Sequence, residues 1–356
     1  MQVREATTAG RFAHHGGRLI EARSLFPGAQ QPWVDLSTGI NRRSYPAPRA
    51  TSAARNRLPE SRQLAELEQT AARAFKVYDA ARVVAVAGTE LALRLLPYAM
   101  DLREAAVLGP TYSSHMDAWM RANANVQSVT ETTLHSCLDR STALTVVNPN
   151  NPDGRVLSAE RLLELHDILV ARGGALIVDE AFADTDPAMS VSCVAGSSQA
   201  PRMIALRSFG KFYGLAGVRL GFIIAATSIA RSVRTLMGEW PISADALAAG
   251  RAAYADDQWS ARMRVNLNRS ASRLDSLLTR GGFEIVGGTS LYRLVRSPDA
   301  GRRFLQLLQA GVLVRPFDHD ETLLRFGIPH GRREWDRLAA FCEDNRDDNA
   351  QRGVEL

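Results

Sequence analysis

The chain has 356 residues, 46% of them hydrophobic, which is enough for about two domains. Its +5 charge comes from arginines spread among acids, with no basic run, zinc-finger spacing or aromatic RNP signature, so nucleic acid is not an expected partner. No apolar run approaches the ~20 residues of a membrane helix, and the opening MQVREATTAGRFAHHGG has no apolar stretch of the kind a secretory signal needs.

From about residue 60 to 226, helical and strand-like segments alternate. Residues 62–75 place apolar side chains at helical period, VVAVAG at 83–88 reads as a strand, and GTELALRLLPYAM opens a helix at Thr89. AAVLGP at 105–110 and ALTVVNP at 143–149 are buried-type strands that end in Gly/Pro turns. Residues 158–174 form a helix with Ser158 as its N-cap and glycine at its end. ALIVDE at 175–180, MIALRSF at 203–209 and VRLGFIIAA at 218–226 complete the set. Continuous apolar strands separated by helices predict a mostly parallel sheet covered on both faces, the large layer of an α/β fold. Beyond about 245 a long helical stretch covers 244–281, followed by short strands around a helix at 299–310 and a final helix, a smaller α/β domain. The expected division is an N-terminal arm at 1–40, a large domain at 41–245, a small domain at 246–343 and a charged, disordered tail at 344–356.

In such a sheet, functional residues gather at the carboxyl ends of strands and at helix N-termini. AGTE, GPTY, NPNNP and DEAF fall there. Cys137, Cys193 and Cys342 are scattered and the seven histidines form no HExxH cluster, so neither a disulfide framework nor a metal site is expected, and a reducing cytoplasm fits.

Arginine supplies nearly all the positive charge; Lys76 and Lys211 are the only lysines. Lys76, in AFKVYD, reads as a surface residue. Lys211, in SFGKFYGLAGVRLGF, sits among Gly210, Gly214 and Gly217, with Ser208 before it and Arg219 after it. An amine can lose its proton and attack a carbonyl, which a guanidinium cannot do. Ser208 and Arg219 both donate to phosphate, so the stretch suggests pyridoxal phosphate. That cofactor needs a carboxylate at its pyridine nitrogen, and Asp179 at the end of ALIVD is the candidate. It also needs amides at a helix N-terminus, which Gly88–Thr89 provides, a stacking aromatic, Tyr112, and a donor to its phenolic oxygen, Asn151.

These motifs, in this order from about residue 30 to 330, resemble the fold-type I pyridoxal-phosphate enzymes of the aminotransferase class. The resemblance implies a three-layer αβα large domain with a smaller C-terminal domain, and a homodimer. It makes Lys211 the lysine that carries the cofactor, with Asp179 and Tyr112 beside it in the chemistry. Gly88, Thr89, Asn151, Ser208 and Arg219 then bind the cofactor, and Arg325 in LLRFGIP binds the substrate α-carboxylate.

Within the class, HHGGRL at 14–19, DLSTGIN at 35–41, WPIS at 240–243 and DEAF are similar to the threonine-phosphate decarboxylases of cobalamin biosynthesis. That likeness implies a phosphorylated amino acid as substrate, with His15, Gly16 and Gly17 near its phosphate and Arg18 as a neighbour. The same parts also suit a histidinol-phosphate-type aminotransferase or a non-catalytic module of the same fold. Three departures stand out. Phe182 replaces a tyrosine that usually bonds the phenolic oxygen, and Asp153 replaces the threonine of NPNNPTG. Leu58 stands where relatives place a tyrosine that crosses the dimer; Tyr45 in SYPAP is the substitute at hand.

Overall fold

The computed structural model describes the backbone of residues 2–352 and the side chains of residues 8–344. The chain divides into two compact units. The first to be considered comprises Ser44–Asn151 and Arg155–Ala261; the second takes residues up to 43, Pro152–Gly154, and Arg262 onward. The boundaries thus fall at 43/44 and 261/262, not at 40 and 245, and the second unit includes a three-residue turn from the middle of the chain.

The larger unit is built on a seven-stranded sheet of β1 (Val83–Val86), β2 (Glu104–Leu108), β3 (Asn125–Val129), β4 (Ala143–Val147), β5 (Ala175–Asp179), β6 (Met203–Ser208) and β7 (Gly221–Ile224). Their order is β1-β7-β6-β5-β4-β2-β3, with β7 antiparallel to both neighbours and the remaining pairs parallel. The mostly parallel α/β sheet expected from the apolar runs is present. Every residue of β1, β4, β5, β6 and β7 is buried, as a sheet covered on both faces requires. One face packs Val84, Val107, Ile177 and Ile204 against Leu93 and Leu96 of the helix Thr89–Met100 and Val233 of the helix Thr227–Met237. On the other, Phe222 meets the rings of Phe75 and Tyr254 at 5.5 and 5.4 Å.

The helix Ala159–Val170 begins as its sequence predicts, with Ser158 Oγ accepting from the Arg161 amide. The stretch 244–281 is two helices, Ala244–Tyr254 and Asp257–Arg280, because Asp256 caps the second by accepting the Trp259 amide at 2.9 Å. The helix Ser61–Ala74 is closed by exposed Lys76 in the left-handed region (φ 58°), with the Val77 amide bonded back to Ala72.

The smaller unit carries an antiparallel sheet, β8 (Glu284–Thr289), β9 (Tyr292–Arg296), β10 (Arg315–Pro316) and β11 (Leu323–Gly327), in the order β10-β11-β9-β8. Its core joins Phe304, Leu307 and Leu308 of the helix Ala300–Gln309 to Leu274 and Leu278, Leu338 and Phe341, and Val34 and Leu36. The turn residue Asp153 accepts the Gly288 amide at 2.7 Å, and a side chain at Gly287 would collide with its carbonyl. The closing helix Gly331–Arg352 takes in residues 344–352 of the expected tail; residues 353–356 lie outside the described part. Among the described residues, no helix is long and apolar enough to cross a membrane.

Below the carboxyl ends of β5 and β6 lies a buried charge network. Arg207, 3% exposed, donates to Glu180 Oε2 (3.1 Å) and Ser190 Oγ (2.9 Å), bonds Asp184, and lies 4.7 Å over the Phe75 ring. Glu180 also accepts from Ser192 Oγ and the Val191 amide, both at 2.6 Å. Although burial disfavours the cation, Asp184 and Glu180 hold the Arg207 guanidinium above its ordinary pKa. Removing one member strands the others in a dry interior, which typically costs about 3–5 kcal/mol. Arg207→Met therefore lowers unfolding stability by about that much in urea titrations, more than a surface change such as Arg62→Met, and an equal effect of the two would contradict this account.

Candidate functional site

In the larger unit, the predicted residues collect at the carboxyl ends of the parallel strands. Asp179 ends β5 and is 5% exposed. Its Oδ1 accepts the Ala181 amide at 2.9 Å and its Oδ2 faces His115 Nε2 at 3.0 Å. His115, itself 3% exposed, reaches it from the helix Ser114–Arg121, which follows β2. Two hydrogen-bonding contacts fix the carboxylate in one orientation, as an electrostatic partner for a cation requires.

Ser208 ends β6 and pairs with Gly221 of β7, which pairs on its other side with Val86. A side chain at Gly221 would meet the Thr89 amide at 2.8 Å, so strand and helix start are nearly in contact. Gly88 caps the helix Thr89–Met100 at φ 89°, and a Cβ there would lie 2.7 Å from Arg219 Nη2. Only glycine lets that guanidinium close on the helix start, where the first amides lack helical partners. Arg219 holds the left-handed region itself (φ 56°), a conformation costing a non-glycine residue of order 1 kcal/mol. Ser208 makes no capping bond with its hydroxyl. Helix amides, a hydroxyl and a guanidinium together form an anion cradle.

Lys211 lies on the short helix Phe209–Phe212, its Nζ 5.8 Å from the centre of the Phe182 ring. Phe182 thus sets an apolar wall beside the amine where a tyrosine would place a hydroxyl. Tyr112, which follows β2, is partly buried; its hydroxyl donates to Glu90 Oε2 at 3.2 Å, and its ring stands edge-on to His115 at 6.2 Å. Burial, reinforced by the Glu90 carboxylate, pushes the Tyr112 phenol up, so it stays neutral. Asn150 anchors the NPNNP turn by donating to the Pro110 carbonyl (3.0 Å) and accepting from Thr111 (2.6 Å), and Asn151 follows it, partly buried. The donor set fits pyridoxal phosphate: one amine, one buried and oriented carboxylate, and an anion cradle that a Cβ at residue 88 would fill. Among the described residues no His, Cys, Asp and Glu cluster could hold a metal ion.

In the smaller unit, Arg325 lies on β11, 3% exposed, with Nη2 donating to the Ser37 carbonyl at 2.9 Å and its guanidinium 5.1 Å from the Tyr292 ring centre. Burial and the neighbouring Arg315 charge pull its pKa down to about 9, which leaves it a cation at neutral pH. Arg315 stands directly opposite Arg325 in the β10–β11 ladder and donates to the His14 carbonyl at 3.1 Å. Two adjacent guanidiniums repel each other, and their summed charge attracts an anion. Ser37 ties in the HHGG turn: its Oγ accepts the Gly17 amide (2.7 Å) and donates to Asp35 (2.6 Å). A side chain at Gly16 would collide with the Ser37 carbonyl. Gly16 and Gly17 (φ 84°) therefore shape the turn, and the Gly17 amide is engaged by Ser37. His15 is exposed, its ring 4.4 Å from His14; Arg18 pairs with Glu21 at 2.6 Å.

Tyr45, the substitute at hand for Leu58, is engaged within its own unit. It is buried, its hydroxyl donating to the Ala252 carbonyl at 3.2 Å and its ring edge-on to Trp259 at 5.1 Å. It belongs to its own unit's aromatic cluster, whereas Leu58 is 64% exposed. The sequence reading missed His115, Arg315 and Ser37. The first stands three residues after Tyr112, which is the available signal; Arg315 is visible only through strand pairing and Ser37 only through its contacts with Gly17 and Arg325.

The Aminotransferase class I and II family model matches residues 32–341. The chain is 37% identical to the threonine-phosphate decarboxylase of Pseudomonas aeruginosa over 326 residues, 92% of this chain and 96% of that protein. It is equally similar, at 37% over 319 residues, to the threonine-phosphate decarboxylase of a Sinorhizobium species, covering 88% and 92%. Among solved structures, the L-threonine-O-3-phosphate decarboxylase from Porphyromonas gingivalis matches with a TM-score of 0.72 at 19% identity, covering 87% of this chain and 98% of that one. At that identity the structural likeness speaks for the fold. A family match over most of the chain makes this protein a member of the aminotransferase class I and II family, a pyridoxal-phosphate-dependent enzyme.

Proposed function

We propose that the enzyme decarboxylates L-threonine O-3-phosphate to 1-amino-2-propanol O-2-phosphate, a building block for the nucleotide loop of cobalamin. The observation that carries this reading is the similarity to threonine-phosphate decarboxylases along nearly the whole chain. The paired cations Arg315 and Arg325 support it, since the substrate carries both a phosphate and a carboxylate.

When bound, pyridoxal phosphate supplies an electron sink for the pair released as a bond to Cα breaks. Lys211 would hold the cofactor, and its amine or a bound water would supply the proton that replaces the lost carboxylate. Asp179, oriented by His115, holds the proton on the ring nitrogen and so stabilises the developing charge. Tyr112 would offer the ring a stacking face, Asn151 would donate to its phenolic oxygen, and Gly88, Thr89, Ser208 and Arg219 would hold its phosphate. Arg325 would bind the substrate α-carboxylate and so orient the reacting carbon. Arg315 binds the substrate phosphate, with His15 and the turn through Gly16 and Gly17 beside it. We take the enzyme to be a cytoplasmic homodimer; the exposed Leu58, Leu236 and Trp240 of the larger unit support an interface there.

With L-threonine O-3-phosphate alone the enzyme releases CO2 without any 2-oxo acid; turnover that needs 2-oxoglutarate and yields no CO2 identifies a histidinol-phosphate-type aminotransferase instead. Lys211→Ala abolishes the visible absorbance band that borohydride bleaches in the wild type, together with turnover, and a variant that kept normal turnover would overturn the scheme. Losing a charged hydrogen bond costs about 1.5–3 kcal/mol, so Arg315→Gln raises KM for the phosphorylated substrate ~10- to 100-fold. The same change leaves slow turnover of unphosphorylated L-threonine unaltered, whereas Arg325→Gln weakens both substrates; the reverse pattern would exchange the two roles.

A further inference from the structure

The smaller unit holds a cationic cavity whose lining includes neither Arg315 nor Arg325. It measures about 340 Å³ and is lined by Arg42, Arg43, Arg269, Arg273 and His330 above an apolar floor that includes Trp335. No Asp or Glu is among its lining residues. Glu334, just behind the wall, neutralises Arg42 through a two-pronged ion pair. Among the described residues, no carboxylate comes within ion-pair distance of Arg43, Arg269 or Arg273, although other surface arginines are paired, as in Arg55–Asp245, Arg62–Glu66 and Arg332–Asp336. Arg273 is held over the Trp335 ring at 4.1 Å, a stacking that fixes its planar fork before any ligand arrives.

Four guanidiniums less one carboxylate leaves three positive charges facing one cavity. Like charges brought together raise the potential and draw anions in, and the arginine fork matches phosphate oxygens two at a time. A volume near the lower end of the ~300–1,000 Å³ range of small-molecule pockets suits a compact ligand. A single carboxylate would balance only one of the three charges, while a diphosphate group balances nearly all. We propose that this cavity is a binding site for a small molecule carrying a diphosphate group, separate from the substrate-binding arginines Arg315 and Arg325.

The test is calorimetric titration of inorganic pyrophosphate into the cofactor-loaded enzyme, with Trp335 emission followed in parallel. The wild type and Arg315→Gln are expected to bind one pyrophosphate per chain with equal affinity and a change in emission. Arg269→Gln and Arg273→Gln each weaken binding ~10-fold or more, as the loss of a charge-assisted hydrogen bond implies, and the double variant abolishes it. Both side chains are exposed, so these variants keep the wild-type unfolding curve and turnover, which separates this result from any failure of the catalytic reading. Absence of wild-type binding at millimolar pyrophosphate overturns the proposal. So does unchanged binding in the double variant, or binding lost in Arg315→Gln and retained in the other two.

Discussion

The organising constraint of the larger unit is that Arg207 cannot be buried alone. Its guanidinium is satisfied by Glu180 and Asp184, and these contacts lock the carboxyl ends of β5 and β6 to each other. Adjacent residues along an extended strand point opposite ways. Glu180 therefore turns into the network while Asp179, one residue earlier, meets His115, and Arg207 turns in while Ser208, one residue later, stands at the anion cradle. The reactive constellation inherits its rigidity from ion pairs that never touch the reaction. A buried network of this kind is weak evidence for stability in itself, because desolvation offsets most of its attraction. Its effect here is on position.

A second pattern is the use of cations under strain. Arg219 occupies a backbone region that favours glycine, and it closes on Gly88 only because that residue has no side chain. Arg325 is buried against an aromatic face with Arg315 as its ladder partner, and its affinity for protons falls accordingly. Cationic groups fixed in place before an anion arrives bind it with less ordering cost, the structural form of pre-organisation.

What was legible in the sequence was whatever is local. Asp179 follows an apolar strand, Gly88–Thr89 opens a helix, and Lys211 and Arg219 share one short stretch, so motif and geometry coincide within a few residues. His115 was not legible because its meaning lies in Asp179, 64 residues away. Arg315 was hidden for the same reason: only the β10–β11 register sets it opposite Arg325. The glycines of HHGG are expected near the substrate phosphate from the motif alone, but the bond of the Gly17 amide to Ser37 spans 20 residues and is not legible there. Tyr45 looked available from its sequence neighbours, but the interior of its unit claims it. The break between the helices at Asp256 was within reach, since an aspartate before a helical run is an ordinary capping signal.

The scarcity of lysine has a practical side. Lys76 ends its helix exposed, in a left-handed turn, while Lys211 is reserved for the cofactor. A reagent that acylates primary amines on the loaded enzyme therefore finds a single side chain, besides the terminal amine, in a surface otherwise supplied with guanidinium cations. Coupling through that residue would attach every molecule to a dye or a solid support at the same point on the larger unit, with orientation fixed by composition alone.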